Sequence, residues 1–366
     1  MAAGKGPLLP PTLGKEHFMN TRITELFGIK HPILSAAMGA VATEELVAAV
    51  SNAGGLGILP TGMMTLDEVR DAGRRMKDLT DKPWGISIVA TIPKYWEYLE
   101  ACLDAEPSVV VFALRSPDEA IKCVLDKKIM LVPIVGSVGA AVKVEKQGAS
   151  AVIVEGYEGG GHVSGTGSIV IVPKAVDAVN IPVIAAGGYM NGRQMAAALT
   201  MGAEGIYMGS RFAMTKESGL HPKIKEFFQQ AEEKNMIVTD RVTGMRARFI
   251  RNKKSEAYAK KNLNLPWNVL PLLIRMKKYF NVPYKELAKV ALGMGGRNIL
   301  TLGAGYMVLW DDAVQSQTYG DVEKRIFPIG QGCQLVTDLP TSAEVVERTI
   351  AEAEKYLKEA PGRVGV

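Results

Sequence analysis

The chain has little cysteine. Its three thiols, Cys102, Cys123 and Cys333, are scattered without the close pairing that a metal site or a disulfide framework needs. An odd number of isolated thiols suits a reducing compartment, so the cytoplasm is the expected location. Long apolar runs are also missing: nothing reaches the roughly 18 to 20 residues that cross a bilayer, which excludes a membrane-spanning helix. Charge of one sign is weak as well. A net charge of +5 over 366 residues, with acidic and basic residues mixed, gives no case for nucleic acid. The first eighteen residues lack the charged segment and long apolar segment of a signal peptide. They read as a loose extension, 1–18, with Met19 a candidate internal start. There is no CxxC pair, no HExxH, no GxSxG elbow and no phosphate-binding P-loop, so neither a metal site nor a standard nucleophile constellation is expected.

With 47% hydrophobic and 22% charged residues, the composition is that of an ordinary globular enzyme. Eight short apolar or β-branched runs recur at 33–37, 56–59, 85–90, 109–114, 129–135, 151–155, 182–187 and 205–208. Between them, 43–53, 66–79, 117–125, 138–148 and 191–201 carry apolar residues at helical spacing, several with a capping residue at the start and glycine at the end. The runs are apolar throughout rather than alternating, as in parallel strands covered by helices on both faces. Eight such units predict a (β/α)8 barrel, and the single Gly39 after the first run argues against a dinucleotide-binding sheet. The barrel is assigned to 19–215. From 216 to 318 the pattern becomes helical without strands, at 222–234, 254–262, 269–279, 284–292 and 296–318, and predicts an added helical domain or lid. Residues 319–366 return to the barrel with a final helix at about 341–359. The basic stretch 241–278, Arg248 included, reads as a solvated helical face rather than a docking patch for an acidic partner.

Active sites of such barrels lie at the C-terminal ends of the strands, with phosphate often bound after strands seven and eight. Here those loops are Gly187-Gly188-Tyr189 and Gly209-Ser210-Arg211, where glycine lets backbone N–H groups approach phosphate oxygens and the helix starting near Asn191 adds its positive end. The sixth strand ends in Glu155-Gly156-Tyr157-Glu158-Gly159-Gly160-Gly161-His162. A histidine after three glycines sits in a rim loop, where it is suited to proton transfer near neutral pH. Glu155 and Glu158 read as hydrogen-bonding supports of that loop. Tyr157, Tyr306 and Trp310 are candidate pocket walls, and Cys333 reads as a small buried residue.

The run 155–165, PVIAAGGY at 182–189, GAEGIYMGSRF at 202–212 and IGQGCQL at 329–335 together resemble the nitronate monooxygenase family and its relatives, FMN-dependent enoyl-acyl carrier protein reductase and NAD(P)H:quinone reductase. The resemblance covers about 21–355. It implies non-covalent FMN, with Ala37, Met38 and Gly39 lining the isoalloxazine and Gly160 and Gly161 beside it. Gly187, Gly188, Gly209 and Ser210 would hold the phosphate, and Gln331 would lie near the phosphate end. His162 falls on the catalytic histidine. Two departures stand near the flavin ring: Ser35-Ala36-Ala37 replaces the family's usual Gln followed by Gly or Ala, and Ser87 replaces its common Asn. The implied reaction is oxidation of an alkyl nitronate with O2 to a carbonyl compound and nitrite, with His162 as base or electrostatic anchor. The alternative is an NAD(P)H-dependent reductase of quinones or enoyl thioesters, for which the annex would dock an acyl carrier protein. NAD(P)H as co-substrate and a homodimer are left open; the substrate is a small molecule in either reading.

Overall fold

The computed structural model describes residues 19–89, 95–113, 117–261, 274, 277 and 297–364. The barrel strands are β1 (Ile33–Ser35), β2 (Gly57–Pro60), β3 (Trp84–Val89), β4 (Val109–Ala113), β5 (Met130–Leu131), β6 (Ile134–Val135), β7 (Val152–Glu155), β9 (Val183–Ala186) and β10 (Gly205–Met208). A two-residue rim strand, β8 (Gly161–His162), precedes β9 in the chain. Pairing runs β2-β3-β4-β5 and β6-β7-β9-β10-β1, all parallel. A parallel bridge between Leu34 and Leu56 joins β1 to β2. The fifth run is one strand broken at Pro133, which has no N–H to donate. The sheet nevertheless continues across it, because Val132 N–H donates to Val110 O and Ile153 N–H donates to the Pro133 carbonyl, both at 2.9 Å. The ring is closed.

Both strand faces are apolar because both are buried. Leu34, Val109, Val111, Ile153 and Ile184 fill the interior, above Ile23 and Phe27 of the plugging helix Arg22–Phe27. Ile33, Val110, Phe112, Val152 and Ile206 face the surrounding helices. Truncating an interior residue such as Ile153 to Ala should cost about 2–5 kcal/mol. The helices of the outer ring are Glu44–Asn52, Leu66–Leu79, Tyr95–Asp104, Asp118–Asp126, Val138–Lys146, Ser168–Val176 and Gly192–Thr200. The helix Ser342–Val364, longer than its sequence indicates, packs against both Gly192–Thr200 and Glu44–Asn52. That contact is close: the Gly192 amide donates to Glu352 at 2.9 Å.

Beyond the barrel strands, the chain is not purely helical. Between the helices Pro222–Gln229 and Lys253–Lys260 lies a hairpin, β11 (Met236–Thr239) and β12 (Ala247–Ile250), in antiparallel register. The cause is burial. Ala247, Phe249 and Ile250 are core residues, and Phe249 packs with Val308 and Leu309 of the helix Arg297–Thr318. Arg248, expected on a solvated face, is instead 1% exposed on β12. The helices expected at 269–279 and 284–292 lie outside the described residues, apart from positions 274 and 277, which are helical. Among the described residues no helix is long and apolar enough to cross a membrane.

Candidate active site

The chain leaves β7 at Glu155, loops through the glycines and re-forms as β8, which pairs antiparallel with β12: His162 opposite Ala247, Gly161 opposite Arg248. Three contacts hold the glycine loop. The Arg248 guanidinium donates to the carbonyls of Tyr157 and Gly159, the latter at 2.7 Å, and lies 4.5 Å from the centre of the Tyr157 ring. The Glu158 carboxylate accepts the Ser168 amide at 2.9 Å, and its carbonyl accepts the Gln331 amide at 3.0 Å. Finally, the late loop presses on Gly160 so closely that a Cβ there would stand 2.5 Å from the backbone of Ile329 and Gly330. Only glycine fits that crossing.

His162 is half-buried, with Nε2 2.9 Å from Thr243 Oγ1. Thr243 is fully buried in the turn between β11 and β12, and its hydroxyl lies 3.3 Å from the Met245 carbonyl. When the Thr243 proton goes to that carbonyl, Nε2 carries the imidazole proton and donates to Thr243. Burial pulls the His162 pKa down to about 4, so the ring is neutral at pH 7. Glu155, seven residues earlier, moves the other way. Burial pushes its carboxyl up to about 8, against the pull of the Arg248 guanidinium. One cause thus sets a neutral base and a largely protonated acid on one short segment. Next to them, the buried Tyr207 hydroxyl accepts the Ala37 amide at 2.8 Å.

Both groups face a cavity of about 1030 Å³ over the C-terminal ends of the strands. Ala37, Met38, Gly39 and Ser87 line it, as do Gly160, Gly161 and His162. Gly187, Gly188, Gly209 and Ser210 line it too, the first two with φ of 92° and 86°. Ser210 Oγ accepts the Gly330 amide at 2.9 Å, which ties the late loop to the eighth strand. Gln331 is not in the lining; its neighbour Gly330 is. Nor are two of the expected walls: Tyr157 stacks on Arg248, and the Trp310 indole N–H donates to Met63 O at 2.6 Å. The Tyr306 side chain lies outside the described residues, and on that helix Leu309, Ala313 and Ser316 line the cavity instead. Sequence reasoning missed Thr243 and the true setting of Arg248.

A neutral histidine, a protonated carboxyl and glycine loops around a barrel-top cavity make up the kind of site that enzymes build for proton transfer. The chain matches the family model described as nitronate monooxygenase over residues 20–98 and 89–352, and it belongs to that family, whose members are typically flavin-dependent. It is 33% identical over 359 residues to the (3aS,4S,5R,7aS)-5-hydroxy-7a-methyl-1-oxo-octahydro-1H-indene-4-carboxyl-CoA dehydrogenase of Mycobacterium tuberculosis, covering 94% of this chain and 99% of that one. To a probable nitronate monooxygenase of Staphylococcus saprophyticus it is 32% identical over 281 residues, 64% of this chain and 79% of the relative. Among solved structures it is similar to FabK from Thermotoga maritima, with a TM-score of 0.77 and 32% identity over 94% of this chain and 99% of that one.

Proposed function

We propose that this chain holds FMN at the barrel rim and acts on an acyl-CoA thioester, removing or returning hydrogen at the carbons beside the thioester carbonyl. The observation that carries this reading is the cavity. At about 1030 Å³ it lies at the upper end of the roughly 300–1,000 Å³ typical of small-molecule sites, enough for a cofactor together with a bulky acyl group and far more than a small nitronate fills. The likeness to a carboxyl-CoA dehydrogenase over nearly the full length of both chains supports the substrate class.

The residues present fit FMN. A Cβ at Gly209 would meet nothing nearer than 3.5 Å, so no protein atom demands glycine there; the space it keeps open is the cavity itself. Gly187, Gly188, Gly209 and Ser210 would hold the phosphate, and Ala37, Met38 and Gly39 would lie along the ring. Ser87 would stand beside the ring, and Gly160 and Gly161 would close over it. When bound, FMN supplies hydride acceptance and return.

The rest is the work of this chain's side chains. A thioester acidifies the neighbouring C–H, and the neutral His162 imidazole takes that proton, or gives it back in the reductive direction. Thr243 fixes the ring's orientation. The protonated Glu155 keeps the cavity floor uncharged, so that an apolar acyl group enters without desolvating an anion. A second reading, nitronate monooxygenation with His162 as base, is favoured by the family match and the staphylococcal relative.

The test is anaerobic. Purified yellow protein is mixed separately with an acyl-CoA, NADH, NADPH and propyl 2-nitronate while the flavin absorbance is followed. Bleaching by the acyl-CoA, or by a nucleotide with reoxidation by an enoyl-CoA, supports the thioester reading; bleaching by the nitronate alone overturns it. His162→Ala should keep the yellow colour and slow bleaching by roughly 10²- to 10⁴-fold.

A further inference from the structure

The charged groups of the cavity are few and unevenly placed. Among its described lining residues, the protonated Glu155 and Lys143 are the two with acidic or basic side chains besides the neutral His162. Glu155 is at the floor, at the end of β7. Lys143 is exposed, on the helix Val138–Lys146 at the outer edge. A second cation lies beside another part of the lining. Arg246 is exposed, and its Nη1 would be 3.5 Å from a Cβ on Gly165, itself a lining residue. The two walls are joined there, because Ser164 Oγ donates to the Gly136 carbonyl at 2.9 Å, one residue before Ser137 caps the helix that carries Lys143.

Nearby carboxylates are engaged elsewhere: Glu145 accepts the Asn180 amide at 2.6 Å, and Asp118 accepts the Gln147 side-chain amide at 2.5 Å. Arg248, the buried neighbour of Arg246 but one, is spent on the glycine loop. The site thus joins an uncharged Glu155 and apolar walls such as Phe112, Ile134 and Val144 to two exposed cations, Lys143 in the lining and Arg246 beside Gly165. That suits an elongated ligand with an apolar head and a multiply anionic tail.

We propose that Lys143 and Arg246 form the subsite that receives the phosphates of the coenzyme A handle, a proposal that rests on the thioester reading for the identity of the tail. Two exposed cations, one on the cavity wall and one beside the lining residue Gly165, suit a cluster of phosphate charges, which each can meet by charge-assisted hydrogen bonds. The acyl group then passes inward toward His162.

Three probes that differ in phosphate count test this by calorimetry on the flavin-loaded full chain: coenzyme A, dephospho-coenzyme A and pantetheine. Affinity should fall in that order and should weaken for the first two as salt is raised. Lys143→Ala and Arg246→Ala should each weaken coenzyme A by about 10-fold, the loss of one charge-assisted contact at an exposed position. The ratio of kcat/KM for an acyl-CoA to that for the matching acyl-pantetheine should drop by the same factor. Unchanged coenzyme A affinity in the double variant, or equal loss of pantetheine, overturns the subsite. Failure of the thioester reading looks different: no thioester bleaches the flavin, yet coenzyme A still binds in a phosphate- and cation-dependent way, which upholds the subsite.

Discussion

The two sides of the cavity are built from different materials. On the side of β7, β9 and β10 much of the surface is backbone, from Gly160, Gly161, Gly187, Gly188 and Gly209, with the protonated Glu155 and Ser210 beside it. On the side of the β11–β12 hairpin, side chains do the work, with Thr243 on the histidine and Arg248 beneath the loop. At Gly160, Gly161, Gly187 and Gly188 close contact or positive φ leaves little room for substitution, but such backbone says little about which molecule is chosen. Side chains delivered by a hairpin can change without rebuilding the barrel. Holding a shared cofactor suits the first side, and setting the chemistry on a particular substrate suits the second.

Three variants bear on that contrast. The largest effect is expected on the backbone side. Gly160→Ala puts a methyl 2.5 Å from the Ile329–Gly330 backbone, which cannot move without dislodging the Gly330 amide from Ser210. Overpacking of this kind costs about 1–3 kcal/mol, and the protein should purify colourless, read as the ratio of flavin to protein absorbance. A yellow, fully active Gly160→Ala protein would break the division of labour. On the hairpin side, Thr243→Val should keep flavin stoichiometry and lower kcat by about 2- to 10-fold, as a weakened orienting hydrogen bond worth about 0.5–1.5 kcal/mol implies. Thr243→Ser should restore most of it, and the variant's pH–rate profile should shift because His162 titrates in a changed setting. Equal activity of the Val and Ser proteins would reduce Thr243 to packing.

The smallest effect is thermodynamic and lies between the two sides. His162 is depressed to about 4 and Glu155 raised to about 8. In the window from His162's folded pKa to its ordinary 6.5, the unfolded chain binds the extra proton, so stability from this group rises with pH. From Glu155's ordinary 4.5 to its folded 8 the native state binds the extra proton, so stability falls with pH. The slopes oppose each other up to about 6.5, and above it Glu155 acts alone. The flavin-free protein should therefore lose about 1 kcal/mol between pH 6.5 and 8, allowing for the carboxyl's partial contact with solvent. Glu155→Gln should flatten that limb in urea titrations at each pH. A limb that persists in the Gln protein assigns it to another group.

Much of the barrel could be read from sequence because burial on both strand faces writes long apolar runs, as in VVVFA at 109–113 and AVIVE at 151–155. The rim glycines were legible for a related reason, since glycine repeated after consecutive strands has few structural excuses. The hairpin was not. Its strands MIVT and ARFI are four residues each, set among lysines and arginines, and a charge run usually means solvent. Arg248 defeats that rule because two carbonyls turned inward by the glycine loop accept from its Nη1, and nothing local to residue 248 announces a loop about ninety positions earlier. Thr243 carries no sequence signal at all; its role exists only once β12 lies against β8.

The placement of the final helix has a consequence for synthesis. All barrel strands have been made by Met208, but the wall against Glu44–Asn52 and Gly192–Thr200 is supplied by Ser342–Val364. A chain emerging N-terminus first carries an unsealed seam, with Leu46, Val47 and Ala196 awaiting Val345, Val346 and Ile350, long after the last strand has been made. Termination between Met208 and Val345 would thus leave a full set of strands with a sticky flank, a natural substrate for chaperones and for aggregation.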